Sequence, residues 1–397
     1  MPVVIVPRAL VSIFSWLILA TAGYLLWSWW SGFHVRDLDG NLVHVRGAAW
    51  RLYLGLGLAA WSLLGRFVVL MLTPAGDDEP REERGRSATV SGASGAALNT
   101  EVFGPEEGPT VVFTHGWGLN ATAWWYSRRA LAEKYKVVAW DLPGLGRSKA
   151  PPGGRLDLDS FAADLGSVLS SLGTGPFLLV GHSIGGMTTQ TFWRTAPPDL
   201  RARVAGVVLV DTTHEDPIRT MWLSPLWRAL RAPLIEPMCL LTILLWPIAW
   251  LSAWQGYLNG SAQLVMRFAG FGRHATRGQV DFSARLAAKG SPAIQAKGNL
   301  AMFRWRATDV LPGIKAPVLV LVGDRDIITL PGASAEIASA LPDGRLVRIK
   351  GAGHNGILEC SEVYNAQISA FADACFARAA SQETPRRPDR AASPPTT

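Results

Sequence analysis

Charge is absent from Leu10 to Trp30, a run of 21 positions. A helix of that length can cross about 30 Å of hydrocarbon. Trp27, Trp29 and Trp30 cluster at its end, where amphipathic rings sit well at a headgroup interface. A cleaved signal peptide is the competing reading, with Arg8 as its positive region and Ala20-Thr21-Ala22 as its cleavage site. The apolar run continues through Tyr24-Leu25-Leu26-Trp27 beyond that site, so an uncleaved anchor is expected. A second apolar stretch, Leu52 to Leu72, is interrupted by Arg66. A mid-span charge costs about 3 kcal/mol, but Arg66 lies near one end and can snorkel. Gly55, Gly57 and Gly65 would permit close helix contact. The expected arrangement is a transmembrane hairpin over residues 1–73, with the polar link His34 to Arg46 on the far side. An interfacial helix is the alternative for the second stretch.

Residues 74–94 are rich in Pro, Gly and charge and read as a linker. Beyond them, short apolar runs alternate with stretches of helical period. The runs are Thr110–Thr114, Lys136–Trp140, Phe177–Gly181, Val204–Val210, Val318–Val322 and Leu346–Lys350. Helical period fits Leu156–Leu172, Ile184–Ala196, Pro331–Leu341 and Glu359–Phe376. Continuous Val and Leu suit strands buried on both faces. The alternation predicts an α/β fold, a mostly parallel sheet flanked by helices, over residues 95–211 and 311–377. Residues 212–310 break the rhythm and are far too long for a plain connection. Their Leu, Trp and Pro content predicts a helical cap over the site. A third span through the uncharged run Pro237 to Trp254 is the alternative, with Pro247 as a kink. Residues 378–397 carry Pro385, Pro388, Pro394 and Pro395 with little apolar content, and are expected to be disordered. No internal repeat is found.

Composition sharpens this picture in two ways. Only 17% of the 397 residues are charged against 49% hydrophobic, where about 25% charged is usual for a soluble domain. That shortfall agrees with membrane segments. The formal net charge is +7, of which the last 20 residues supply +2. No Lys/Arg block with interleaved aromatics exists, so nucleic acid is not an expected partner. Membrane lipids are, through mild attraction to anionic headgroups. Arg8, Arg81, Arg84 and Arg86 face one side of a hairpin, and Arg36, Arg46 and Arg51 the other. This balance discriminates poorly between orientations, and the reading adopted places the large domain on the cytoplasmic side. Cys239, Cys360 and Cys375 have neither a disulfide framework nor metal-ligand spacing. They read as buried small apolar residues. No metal and no cofactor is expected, because there is no P-loop and no dinucleotide motif.

The strongest chemical feature is Gly181-His182-Ser183-Ile184-Gly185, a G-x-S-x-G with a strand before it and a helix after it. A serine there must occupy a very sharp turn that exposes its oxygen. The turn brings its two flanking glycines close together. A hydroxyl needs a base, and His354 follows the last strand in a glycine-rich loop. Of the other six histidines, His34 and His44 fall in the membrane link and His214 and His274 in the insertion. His182 adjoins the serine and points elsewhere, and His115 belongs to another motif. The base needs an acid to fix its tautomer. Asp326, three residues past Gly323 and 28 before His354, is expected to supply it, with Asp211 and Asp324 as alternatives. Backbone N–H groups of Ile184 and of Trp117, in the turn His115-Gly116-Trp117-Gly118, are the expected oxyanion donors.

Taken together, residues 88 to 377 resemble the α/β-hydrolase family. The resemblance rests on His115-Gly116-Trp117, Asp141-Leu142-Pro143-Gly144-Leu145-Gly146-Arg147-Ser148, the Ser183 elbow, Gly323 to Asp326, and Gly353-His354. The order Ser, Asp, His is the one this fold uses. In the family the Asp141 segment shapes loops near the site, a structural role. An N-terminal anchor ahead of such a domain loosely resembles membrane-bound monoacylglycerol lipases and esterases. The resemblance implies hydrolysis of a carboxylic ester by an acyl-enzyme route, on a lipophilic, acylglycerol-like substrate. Acyltransferase, perhydrolase and C–C hydrolase chemistries also keep the serine. A non-catalytic membrane receptor or scaffold is disfavoured, because all three residues Ser183, Asp326 and His354 are present.

Overall fold

The structure is a computed structural model that describes residues 2–383. Two long helices come first, α1 (Pro2–Ser31) and α2 (Ala49–Leu70). Both are apolar enough and long enough to cross a membrane. They pack as an antiparallel pair, and the link between them is an exposed two-stranded ribbon, β1 (Phe33–Arg36) with β2 (Leu42–Val45). The sequence suggested only a polar link there. Arg46 stacks over Trp29 and Trp30 at 4.8 and 5.3 Å, which joins the ribbon to the end of α1. The three glycines of α2 differ in use. A Cβ on Gly55 would meet Leu26 of α1 at 2.9 Å, and one on Gly65 would meet the Asn259 carbonyl at 2.7 Å. A Cβ on Gly57 meets nothing, so that glycine serves no helix contact.

The main sheet has eight strands. They are β3 (Arg86–Ser91), β4 (Ala97–Phe103), β5 (Thr110–Thr114), β6 (Lys136–Trp140), β7 (Phe177–His182), β8 (Val204–Val210), β9 (Val318–Gly323) and β10 (Gly344–Ile349). Their order is β10-β9-β8-β7-β5-β6-β4-β3. The six strands from β5 to β10 are parallel, and β3 and β4 run antiparallel at one edge. The central strands are buried throughout, as unbroken Val/Leu runs require. The linker expected over 74–94 therefore ends early, because β3 lies inside it. Five of the six β3 residues are exposed, so the edge strand Arg-Ser-Ala-Thr-Val-Ser carried too little apolar alternation to read.

Helices α3 (Trp125–Leu131), α4 (Leu158–Ser171), α5 (Ile184–Thr195) and α6 (Pro198–Ala202) follow the first strands. The insertion after β8 holds six more: α7 (Ser224–Leu230), α8 (Glu236–Leu244), α9 (Trp246–Leu258), α10 (Ser261–Gly270), α11 (Arg277–Lys289) and α12 (Pro292–Met302). No third straight span forms among the described residues, since α8 and α9 meet at a bend of 102° around Leu245. Pro247 sits in the first turn of α9, where its missing N–H costs nothing. Helices α13 (Pro331–Ala340), α14 (Gly356–Glu359) and α15 (Ser361–Glu383) complete the chain. The tail expected to be disordered from residue 378 is thus helical to Glu383. Its remainder, 384–397, lies outside the described residues.

The pair formed by α1 and α2 is not a separate appendage. Asn259, between α9 and α10, donates to Ser15 Oγ of α1 at 2.6 Å, and Trp16 donates to Ser252 Oγ at 2.8 Å. Arg66 stacks on Tyr257 of α9 at 4.8 Å. The base of the hairpin is therefore built into the cap.

Candidate active site

Strand β7 ends at His182 and α5 begins at Ile184, so Ser183 alone makes the turn between them. Its φ is +53°, a region L side chains rarely adopt. Two glycines make the turn passable. A Cβ on Gly181 would lie 2.5 Å from Gly185, and one on Gly185 would lie 2.2 Å from the Thr114 carbonyl. The result places the Ser183 hydroxyl between the ends of β5 and β8, at the carboxyl edge of the sheet, where open α/β sheets bind ligands.

His354 lies in the loop after β10. Its Nε2 is 3.0 Å from Ser183 Oγ, and its Nδ1 is 2.8 Å from Asp326 Oδ2. These distances assign the tautomer: Nδ1–H donates to the carboxylate, and Nε2 accepts from the serine hydroxyl. All three residues are buried. Asp326 is anchored in turn by the N–H groups of Ile328 and Thr329, at 2.7 and 2.9 Å, and by the Thr329 hydroxyl at 2.7 Å. The two alternative acids are engaged elsewhere. Asp324 accepts from the Gly351 N–H at 2.7 Å. Asp211 accepts from the Gly323 N–H and the Tyr364 hydroxyl, at 2.8 and 2.9 Å. Burial, then the neighbouring Asp326 charge, holds the Asp211 carboxyl well above the usual carboxylate range.

Trp117 and Ile184 both stand beside Ser183. Ile184 opens α5, so its N–H is one of the first-turn donors that a helix leaves free. Trp117 lines the same cleft as Ser183. Its indole donates to the Gln295 carbonyl at 3.0 Å, and its ring lies where a Cβ on Gly298 would sit, 2.0 Å away. Cap helix α12 thus fixes this loop through a glycine that no larger residue can replace without moving the ring. His115 ties the same loop to the Asp141 segment. It accepts from the Leu142 N–H at 3.0 Å on Nε2 and donates to the Gly116 carbonyl at 2.8 Å from Nδ1. Burial lowers its pKa, which suits a neutral ring with one donor and one acceptor. Asp141 holds its own loop by accepting from Ala121 and Arg147 N–H groups, at 2.7 and 2.9 Å.

Three residues near the site were not singled out from the sequence. His182 Nε2 lies 2.8 Å from the His354 carbonyl and holds the backbone of that residue. Burial pushes its own pKa down to about 3, so it is a neutral donor. Glu359 accepts from the N–H groups of Gly353, Gly272 and His274, at 2.9, 2.8 and 2.6 Å. It clamps the His354 loop to the cap. Thr329, described above, is the third. Only the position of His182 inside the elbow was visible beforehand.

The cleft has a volume of about 850 Å³ with its mouth included. Its wall is apolar around Val265, Met266 and Ala269, and polar at Gln295 and Asn299. A serine hydroxyl paired to an imidazole, with the N-terminus of α5 behind it and an apolar pocket in front, is equipped for acyl transfer.

A family model described as the alpha/beta hydrolase fold matches residues 109–360. Polyketide synthase ThaQ of Burkholderia thailandensis is 31% identical over 69% of this chain, and the matched region is 12% of that synthase. A non-heme chloroperoxidase of Streptomyces lividans is 28% identical over 70% of this chain and 98% of its own length. Among solved structures, a thermophilic esterase from Thermogutta terrifontis aligns with a TM-score of 0.56 at 25% identity, covering 73% of this chain and 99% of that one.

Proposed function

Because the chain belongs to the α/β-hydrolase fold family and is an ester-hydrolysing member of it, we propose that Ser183, His354 and Asp326 act as its nucleophile, base and acid. Ser183 Oγ attacks the ester carbonyl and passes its proton to His354 Nε2. Asp326 stabilises the imidazolium that forms, and Thr329 positions Asp326. The N–H groups of Ile184 and Trp117 receive the oxyanion. His354 returns the proton to the leaving alcohol, which departs and leaves the acyl group on Ser183. Water, deprotonated by His354, attacks the acyl carbon, and His354 passes that proton to Ser183 Oγ as the acid leaves. The observation that carries this reading is the unbroken hydrogen-bond chain from Ser183 through His354 to Asp326, with links of 3.0 and 2.8 Å.

The substrate in this reading is a lipophilic ester drawn from a bilayer that α1 and α2 span. The cap supports it: the elbow of α8 and α9 exposes Leu240, Leu241, Leu244, Trp246, Ile248 and Leu251 beside the base of the hairpin. An exposed apolar patch of that kind marks a protein or membrane contact.

Labelling of the full chain by a serine-directed phosphonate, with and without Ser183→Ala, tests the nucleophile. Labelling should vanish in the variant, and undiminished labelling removes Ser183 from the role. Hydrolysis of p-nitrophenyl esters of rising chain length tests the substrate class. Turnover should rise with chain length, and a preference for acetate would overturn the lipophilic reading.

A further inference from the structure

The cleft that holds Ser183 is closed partly by α1, not by the cap alone. Ile5 and Arg8 line it together with Ser183, His354 and Trp117. Arg8 also borders the two cavities that continue from it along α1, beside Ser12, Ser252 and Ala253. A guanidinium keeps its charge at any working pH. Arg8 is half-buried, and a guanidinium held partly away from water needs acceptors, because a charge left alone there is costly. Among the described residues, Arg8 forms no ion pair and no hydrogen bond. Gln295, the amide beside it in the cleft, does not bond it. Its Nε2 donates to the Ala287 carbonyl at 3.0 Å, and its main-chain carbonyl accepts from Trp117.

An arginine near a helix end can also snorkel to lipid headgroups. Arg8 instead borders three adjoining clefts between α1 and the cap. The remaining walls of those cavities are largely apolar, through Val265, Met266, Ala287 and Ala253. A cation in an apolar cleft beside a reactive serine lacks one component, an anion, and the cleft has room for a ligand that brings it.

We propose that Arg8 binds an anionic group of the substrate, so that the substrate is an anionic amphiphile: an acyl ester whose alcohol part carries a phosphate or a carboxylate. The guanidinium takes either group bidentately. The acyl chain lies along α1 in the cavities that continue past Arg8. The helix that anchors the enzyme thereby also selects what it cleaves. This inference rests on the serine-hydrolase reading above for the identity of the cleaved bond.

The test uses the full chain in neutral detergent micelles with three substrates: monooleoylglycerol, its phosphate, and the oleoyl ester of glyceric acid. Wild-type kcat/KM should be about tenfold or more higher on at least one charged ester than on the neutral one. Which charged ester leads distinguishes phosphate from carboxylate. Arg8→Gln should lower the charged-to-neutral ratio about tenfold, mainly through KM. Arg8→Lys should fall between, and Arg8→Glu should favour the neutral ester. Phosphonate labelling of each variant reports that the site is folded. An equal ratio in wild type and Arg8→Gln overturns the proposal, as does a wild type that prefers the neutral ester. Direct binding separates this outcome from failure of the hydrolase reading. Ser183→Ala should bind oleyl phosphate about tenfold tighter than oleyl alcohol, and the added Arg8→Gln should abolish that difference. Lack of any such difference overturns the role of Arg8, whether or not an ester is cleaved.

Discussion

Ser183 and Asp211 share an unusual backbone, with φ of +53° and +44° at the ends of neighbouring strands. Each such residue costs of order 1–3 kcal/mol, and each is held by what surrounds it. Thr212 donates to the Ser183 carbonyl at 2.7 Å, and Tyr364 and Gly323 hold the Asp211 carboxyl. The His354 loop is held differently, by one carboxylate that gathers three N–H groups from two segments. Glu359→Ala should therefore act at two levels. It leaves buried donors unpaired at about 1–3 kcal/mol each, which urea unfolding measures. It also frees His354 to move, so kcat should fall by about tenfold or more while Ser183 remains labelled. Unchanged kcat would remove Glu359 from the support of the site. This residue escaped notice because a glutamate near a helix start reads as an ordinary first-turn acid. Its partners, Gly272 and His274, are far away in sequence.

Among the elements, the buried strands were the most legible. Thr110–Thr114, Lys136–Trp140 and Val204–Val210 run from end to end as their apolar runs indicated. Both faces of a central strand are covered, so hydrophobicity alone marks its limits. Edge strand β3 and ribbon β1–β2 were not legible, because an exposed strand has no obligatory apolar face. The bend between α8 and α9 also stayed hidden. An uncharged run has the same composition whether it continues straight or turns through 102°. The turned form presents its apex as an apolar surface, and this makes a specific expectation. Leu244→Asp with Trp246→Asp should weaken release of long-chain esters from vesicles at least about tenfold. Hydrolysis of a short water-soluble ester should change far less. Equal losses on both substrates would show that the elbow serves packing, not the membrane.

At the scale of the whole molecule, burial of His182 couples the site to acid stability. Its ordinary pKa is about 6.5, and burial pushes it to about 3 in the folded protein. Between those values the unfolded chain binds a proton that the folded chain does not. Stability is therefore full above about pH 6.5 and falls as pH drops toward 3, by at most about 1.4 kcal/mol per unit from this one group. Replacement by His182→Gln, which can still donate to the His354 carbonyl, should flatten that slope. Denaturant midpoints of both proteins from pH 7 to pH 4 measure it. Parallel curves would mean that His182 gains its proton without unfolding.

The amino-acid sequence by itself determined which serine, histidine and carboxylates are candidates for the reaction, and the order of the buried core. Ser183 needs glycines at fixed offsets, and a base and an acid must follow specific strand ends, so local spacing carries that information. It also determined two apolar stretches long enough to span a bilayer. The tertiary structure decided what those parts mean to one another. Among three candidate carboxylates, Asp326 is the one at 2.8 Å from His354, and only packing distinguishes it from Asp211. The hairpin read as a separate anchor, yet Ser15 and Arg66 hold it to the cap and Arg8 lines the cleft of Ser183. Contacts across more than 170 positions leave no pattern in local composition. They arise when helices with apolar faces find one another, and that is settled by shape.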